Sequence, residues 1–154
     1  MNFISNKTVL ANWHELILIA QREANICLES EVEAYVVMAL MSHTNSNNLA
    51  NSILSTQYLE AVFYDDNKKQ KMKSVADKCL IYSGLFPLRA KKINVSTSYF
   101  INLGRSAYYQ LVEYLPSSQP SMINLYEKLA FQFQSISNVI MYMRKKDYGF
   151  EKLF

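Results

Sequence analysis

Apolar positions recur at three- and four-residue steps along nearly the whole chain, the spacing of an α-helix with one buried face. Val9, Trp13, Leu16, Ile17, Ala20 and Ala24 predict a first helix near residues 8–25. Ser30 opens a second, with Glu33 at capping-box spacing and a stripe of Val32, Tyr35, Val36, Ala39 and Leu40. The polar run Ser42 to Asn48 reads as a loop, and Ala50, Leu54, Tyr58, Ala61 and Val62 predict a third helix. Asp65, Asp66 and Asn67 begin a fourth, whose stripe is Met72, Val75, Ala76, Cys79 and Phe86. Pro87 stops it or starts a short helical turn through Lys92.

Ser96 or Thr97 caps a fifth helix carrying Phe100, Leu103, Ala107, Leu111 and Leu115, and Pro116 ends it. The Pro120–Ser121 segment starts the longest helix, with Leu125, Leu129, Phe133, Ile136, Ile140 and Met143 on one side. Arg144, Lys145 and Lys146 suit the negative end of its dipole. No strand-like alternation and no internal repeat interrupts this reading. The expected fold is all-α, a single-domain bundle of about six helices spanning residues 1–154, closed by a long C-terminal helix.

Composition narrows the possibilities. Half of the 154 residues are hydrophobic and 19% are charged, the balance of a globule able to bury its own core without a metal or disulfide staple. Three Gly and three Pro leave no glycine-rich phosphate loop. The apolar run through Tyr35 to Met41 is far short of the roughly 18 residues that span a bilayer. The N-terminal residues lack the basic-then-apolar pattern of an export signal, so a cytoplasmic location with reduced Cys27 and Cys79 is expected, and the sequons at Asn6 and Asn94 carry little weight.

Charge is split along the chain. Residues 1–66 hold eight acids and two bases, whereas residues 67–154 hold fourteen bases and five acids. Such a split suits an acidic partner for the second half, or simply two halves that pack together or attract a second copy head to tail. Lys68, Lys69, Lys71, Lys73 and Lys78 flank the apolar stripe of the fourth helix on both sides, as on a solvated helix. A nucleic-acid surface would draw on Lys69, Lys73, Arg89, Lys91 and Lys92.

Catalytic and metal chemistry find no motif. There is no Glu-x-x-His pair, no His-Glu-x-x-His and no Gly-x-Ser-x-Gly, so no metal, cofactor or catalytic residue is assigned and the balance falls against an enzyme. Cys79 lies on an apolar stripe, where a packed thiol is expected, and Cys27 is expected to pack beside Ile26 and Leu28. His14 and Glu15 point about 100° apart on a helix and do not make an acid–base pair. His43 falls near the end of the second helix, within reach of its last carbonyls.

Gly84 and Gly104 sit inside helices, where each costs about 1 kcal/mol relative to Ala. A close approach of the fourth and fifth helices would explain them, with Ala at Gly104 tolerated better than Leu. Asp77, Ser83, Arg105 and Ser106 then lie near that crossing, as a buried polar clamp or as a small-ligand site. The stretch from Asp77 through Gly84-Leu85-Phe86-Pro87, followed by Tyr99-Phe100 and Gly104-Arg105-Ser106-Ala107-Tyr108, resembles a pattern from a bacterial all-helical protein family without an assigned activity. The resemblance covers residues 75–109, implies a bacterial helical protein and brings no mechanism with it.

On the last helix, Phe131 and Tyr142 project away from the main stripe. With Met141, Phe150 and Phe154, and with Tyr148 and Leu153, they exceed what one face can bury. An interface is the leading explanation, making the chain a non-enzymatic, self-associating interaction or regulatory module, expected as a homodimer or bound to a protein partner. The alternative is an RNA- or DNA-binding protein; the third possibility is a small-ligand sensor or enzyme at the crossing of the fourth and fifth helices.

Overall fold

Among the residues described by the computed structural model, 6–44, 67–85 and 97–145, six α-helices carry the chain and no strand is present. They are α1 (Asn6–Ala24), α2 (Ser30–Thr44), α3 (Lys68–Leu85), α4 (Thr97–Tyr114), α5 (Pro120–Phe131) and α6 (Phe133–Lys145). The expected third helix, Phe86, the Pro87–Lys92 turn and everything beyond Lys145 lie outside the described residues.

Local chemistry explains the helix ends. Asn25, just past α1, adopts φ 57°, the left-handed conformation Asn tolerates. Its N–H donates to Arg22 O at 3.2 Å and that of Ile26 to Gln21 O at 3.0 Å, the paired bonds of a Schellman turn. Gln21 then bridges to the next helix, accepting from Leu28 N–H at 2.8 Å and donating to Glu33 at 2.7 Å. Glu33 therefore does not close a capping box with Ser30. Its carboxylate is held by Gln21 and by His14 of α1, whose Nε2 lies 2.7 Å away. Pro120 begins α5, where a missing N–H leaves no bond unmade.

The sequence pattern assigns α3 a single buried stripe, and the structure buries far more of it. Every residue from Cys79 to Leu85 is buried, because α4, α6 and α2 all pack against this helix. The same core takes in Trp13 and Ile17 from α1, Val36 and Leu40 from α2, and Phe133, Ile136 and Ile140 from α6. Tyr82 stacks on Phe100 of α4, with ring centroids 5.2 Å apart.

The long C-terminal helical segment is divided at Gln132, whose φ −93° and ψ 11° depart from helical values. Backbone bonds continue on both sides, Gln132 N–H to Lys128 O and Ile136 N–H to Gln132 O. The two parts favour different neighbours, α5 on α4 and α6 on α3 and α1, and the change at Gln132 lets one apolar stripe follow both.

Both interior glycines mark close helix approaches. A Cβ on Gly104 would lie 2.5 Å from the Phe133 ring and 2.8 Å from Cys79 Cβ, so α4 meets α3 here with α6 closing over them. A Cβ on Gly84 would lie 2.6 Å from Ile140 Cβ and 3.1 Å from Ser137 O, a contact of α3 with α6 that the sequence reading attributed to the following helix.

Candidate functional site

Asp77 is the centre of the polar chemistry. It lies in the buried half of α3 and is completely inaccessible. An unpaired carboxylate there would be prohibitively expensive, so its donors matter. Tyr35 of α2 and Tyr108 of α4 each donate a hydroxyl to Oδ1 at 2.6 Å. Lys73, one turn earlier on α3, donates to Oδ2 at 3.0 Å, and His43 Nε2 from the end of α2 lies 3.5 Å from the same oxygen.

The aromatic rings brace these donors. Tyr108 stacks on Tyr126 of α5 at 6.2 Å, and Tyr35 meets both Tyr108 and Tyr126 edge-on at 6.3 and 6.0 Å. The Lys73 ammonium lies 5.2 Å from the Tyr35 ring centroid, a cation–π contact added to its ion pair.

Burial alone pushes the Asp77 carboxyl upward. The His43 contact, the Lys73 charge and the Tyr108 and Tyr35 hydroxyls outweigh it, and the carboxyl is held below its ordinary value. Burial, followed by the Asp77 charge, pushes both Tyr35 and Tyr108 well above the usual phenol range. The assembly is thus a carboxylate with neutral phenol donors, and neither tyrosine is poised as a base or nucleophile.

Lys73 and His43 also face outward, into a cleft of about 680 Å³. One wall comes from α2 and the start of α3, with His43, Lys69, Lys71, Lys73 and Ser74. The side formed by the end of α4 and by α5 is mainly apolar, with Leu115 and Met122 accessible, Leu111 and Tyr126 buried behind them, and Gln119 adding one polar group. Among the described lining residues there are three lysines and no carboxylate. A second cavity of about 700 Å³ lies along α1 and α2 beside Arg22 and Cys27, but its buried polar group, Gln21, is already satisfied by Leu28 and Glu33. The first cavity has the chemistry.

The polar group expected at the helix crossing is dispersed. Asp77 bonds to the residues above, while Arg105 Nε donates to Ala130 O at 3.1 Å. Ser83 bonds to Leu80 O and pairs with Ser137 Oγ at 2.9 Å, and Ser106 is exposed. The crossing itself is filled by Phe133 and Cys79. The Cys79 thiol is buried and pushed far above its ordinary pKa, first by desolvation and then by Asp77, whereas Cys27 is exposed rather than packed. Among the described residues no three or more His, Cys, Asp or Glu converge as a metal site, and no helix is long and apolar enough to cross a membrane.

The expected interface residues also separate. Phe131 is 76% exposed, but Met141 and Tyr142 are half-buried, and Phe150 and Phe154 lie outside the described residues. Of the expected nucleic-acid contacts, Lys69 and Lys73 share the cleft wall and Lys73 is drawn onto Asp77, while Arg89, Lys91 and Lys92 lie outside the described residues.

Tyr35, His43, Tyr108 and Tyr126 were not singled out as a site by the sequence reading. The available signal was a carboxylate on a helix with an apolar run, with a lysine four residues before it and tyrosines on neighbouring helices. No protein-family model matches the chain, and no curated protein or solved structure matches it either.

Proposed function

We propose that this protein is a non-enzymatic, cytosolic regulatory module that binds a small molecule in the cleft beside Asp77. The observation that carries this reading is the double engagement of Lys73 and His43. Both line the cleft, and both contact the one carboxylate that ties α2, α3 and α4 together. A ligand drawing on either group alters the balance of charge on Asp77, and three helices respond. The cleft has the size of an ordinary small-molecule site, about 300–1,000 Å³.

The test is native mass spectrometry of the full chain after exposure to a small-molecule extract and gel filtration. Wild type retains a bound species of a few hundred daltons, on the order of what such a cleft holds. Ser74→Trp, which fills the cleft from its polar wall, loses that species while keeping its helical circular dichroism. Absence of any retained species from wild type contradicts the proposal.

Self-association is a second reading, supported by the exposure of Phe131 on α5. It requires a dimer in sedimentation at micromolar concentration that Phe131→Ser disperses. A monomer at that concentration removes it.

A further inference from the structure

From the opposed chemistry of the two cleft walls we infer that the ligand is an amphipathic anion: one carboxylate or phosphate group on an apolar chain or ring. This inference rests on the proposed small-molecule binding and adds the chemical class. Lys73 has three N–H donors, of which the contact with Asp77 Oδ2 at 3.0 Å uses one, and its side chain is 42% exposed. Lys69 follows the same helix face one turn earlier, and the Ser74 hydroxyl joins them on that wall.

An anion there meets cations already in place, so little ordering is needed at the moment of binding. Lys73 is pinned by Asp77 and by the Tyr35 ring. A neutral ligand would leave those charges facing apolar surface. A purely ionic ligand would leave Leu115 and Met122, the solvent-accessible apolar side chains of the lining, facing water. Only a molecule with both parts satisfies both walls. The head group lies against α3 and the end of α2, and the apolar body lies along α4 and α5.

Calorimetric titration of the full chain with octanoate, octyl phosphate, octanol and inorganic phosphate separates the possibilities. One or both of the octyl anions bind at least about tenfold more tightly than octanol or inorganic phosphate, a difference of roughly 1.4 kcal/mol. Lys69→Glu, at an exposed position, and Leu115→Ser each weaken the favoured anion severalfold without altering the circular dichroism. Which octyl anion is preferred identifies the head group.

Octanol binding as tightly as both anions overturns the anionic half, and inorganic phosphate binding as tightly overturns the apolar half. In either case small-molecule binding itself survives. If none of the four binds, the amphipathic class fails. The Ser74→Trp-sensitive species in mass spectrometry then reads whether the broader proposal fails with it.

Discussion

Tyr35 and Tyr108, from two different helices, donate their hydroxyls to the same oxygen of Asp77 at the same distance, 2.6 Å. One carboxylate oxygen therefore accepts from two phenols, Tyr108 buried and Tyr35 partly buried, and the two donors are energetically linked through it. Tyr35→Phe and Tyr108→Phe are each expected to cost about 1–3 kcal/mol, the range for removing a partner from a buried charged group. Because the two share an acceptor, their effects do not add, and a double-mutant cycle in urea returns a coupling of at least about 0.5 kcal/mol. Additivity would mean that the two hydroxyls act independently.

The same cluster predicts how stability depends on pH. Asp77 is held below its ordinary pKa in the folded protein, with burial opposing and its donors prevailing. Its stabilisation is therefore present above the unfolded carboxyl range near 3.9 and fades as pH falls through the lower folded value. Tyr35 and Tyr108 shift the other way, so their contribution is present below about pH 10 and is lost as pH rises beyond it. Urea midpoints across pH should show wild type losing its advantage over Asp77→Asn in acid. Tyr35→Phe should reduce the alkaline loss. A constant gap between wild type and Asp77→Asn down to pH 2 would contradict the assignment.

Gly84 and Gly104 should both resist even the smallest enlargement. The added Cβ would come within 2.6 Å of Ile140 Cβ in one case and 2.5 Å of the Phe133 ring in the other. Overpacking of this kind costs about 1–3 kcal/mol, exceeding the gain of about 1 kcal/mol in helix propensity on replacing Gly by Ala. Gly84→Ala should be the harsher change, because its closest neighbour is the Ile140 Cβ, backed by the Ser137 carbonyl, whereas the closest atoms to Gly104 are at the far end of the Phe133 ring. Thermal unfolding measures both, and a raised midpoint for either would show that the neighbouring helix yields freely. Ala at Gly104 is expected from sequence to be tolerated better than Leu, but the Phe133 ring and Cys79 Cβ leave little room even for Ala.

Which parts were legible from the sequence follows from range. Helix-forming patterns are local, so the stripe Val32, Val36 and Leu40 and the stop at Pro116 could be read directly. The all-round burial of Cys79 to Leu85 could not, because Tyr82 lies off the expected stripe and finds its stacking partner, Phe100, on α4. The site was half visible. Asp77 was singled out, but Arg105, the cation nearest to the expected crossing, turns to a backbone carbonyl on α5. The cation that does pair with it, Lys73, was grouped with solvated lysines. Its i,i+4 spacing from Asp77 was available, but the burial that makes this pair matter comes from helices distant in sequence.

Hydrogen exchange with and without the favoured octyl anion tests most directly whether occupancy of the cleft is communicated through Asp77. In wild type, bound anion should slow amide exchange near the lining residues and also around Tyr35 and Tyr108, which lie behind the cleft wall. In Tyr35→Phe, slowing near Lys73 and Ser74 should persist, while the slowing around residue 35 is lost. Slowing confined to the lining in wild type, or unchanged around residue 35 in Tyr35→Phe, would contradict a regulatory role for the Asp77 cluster.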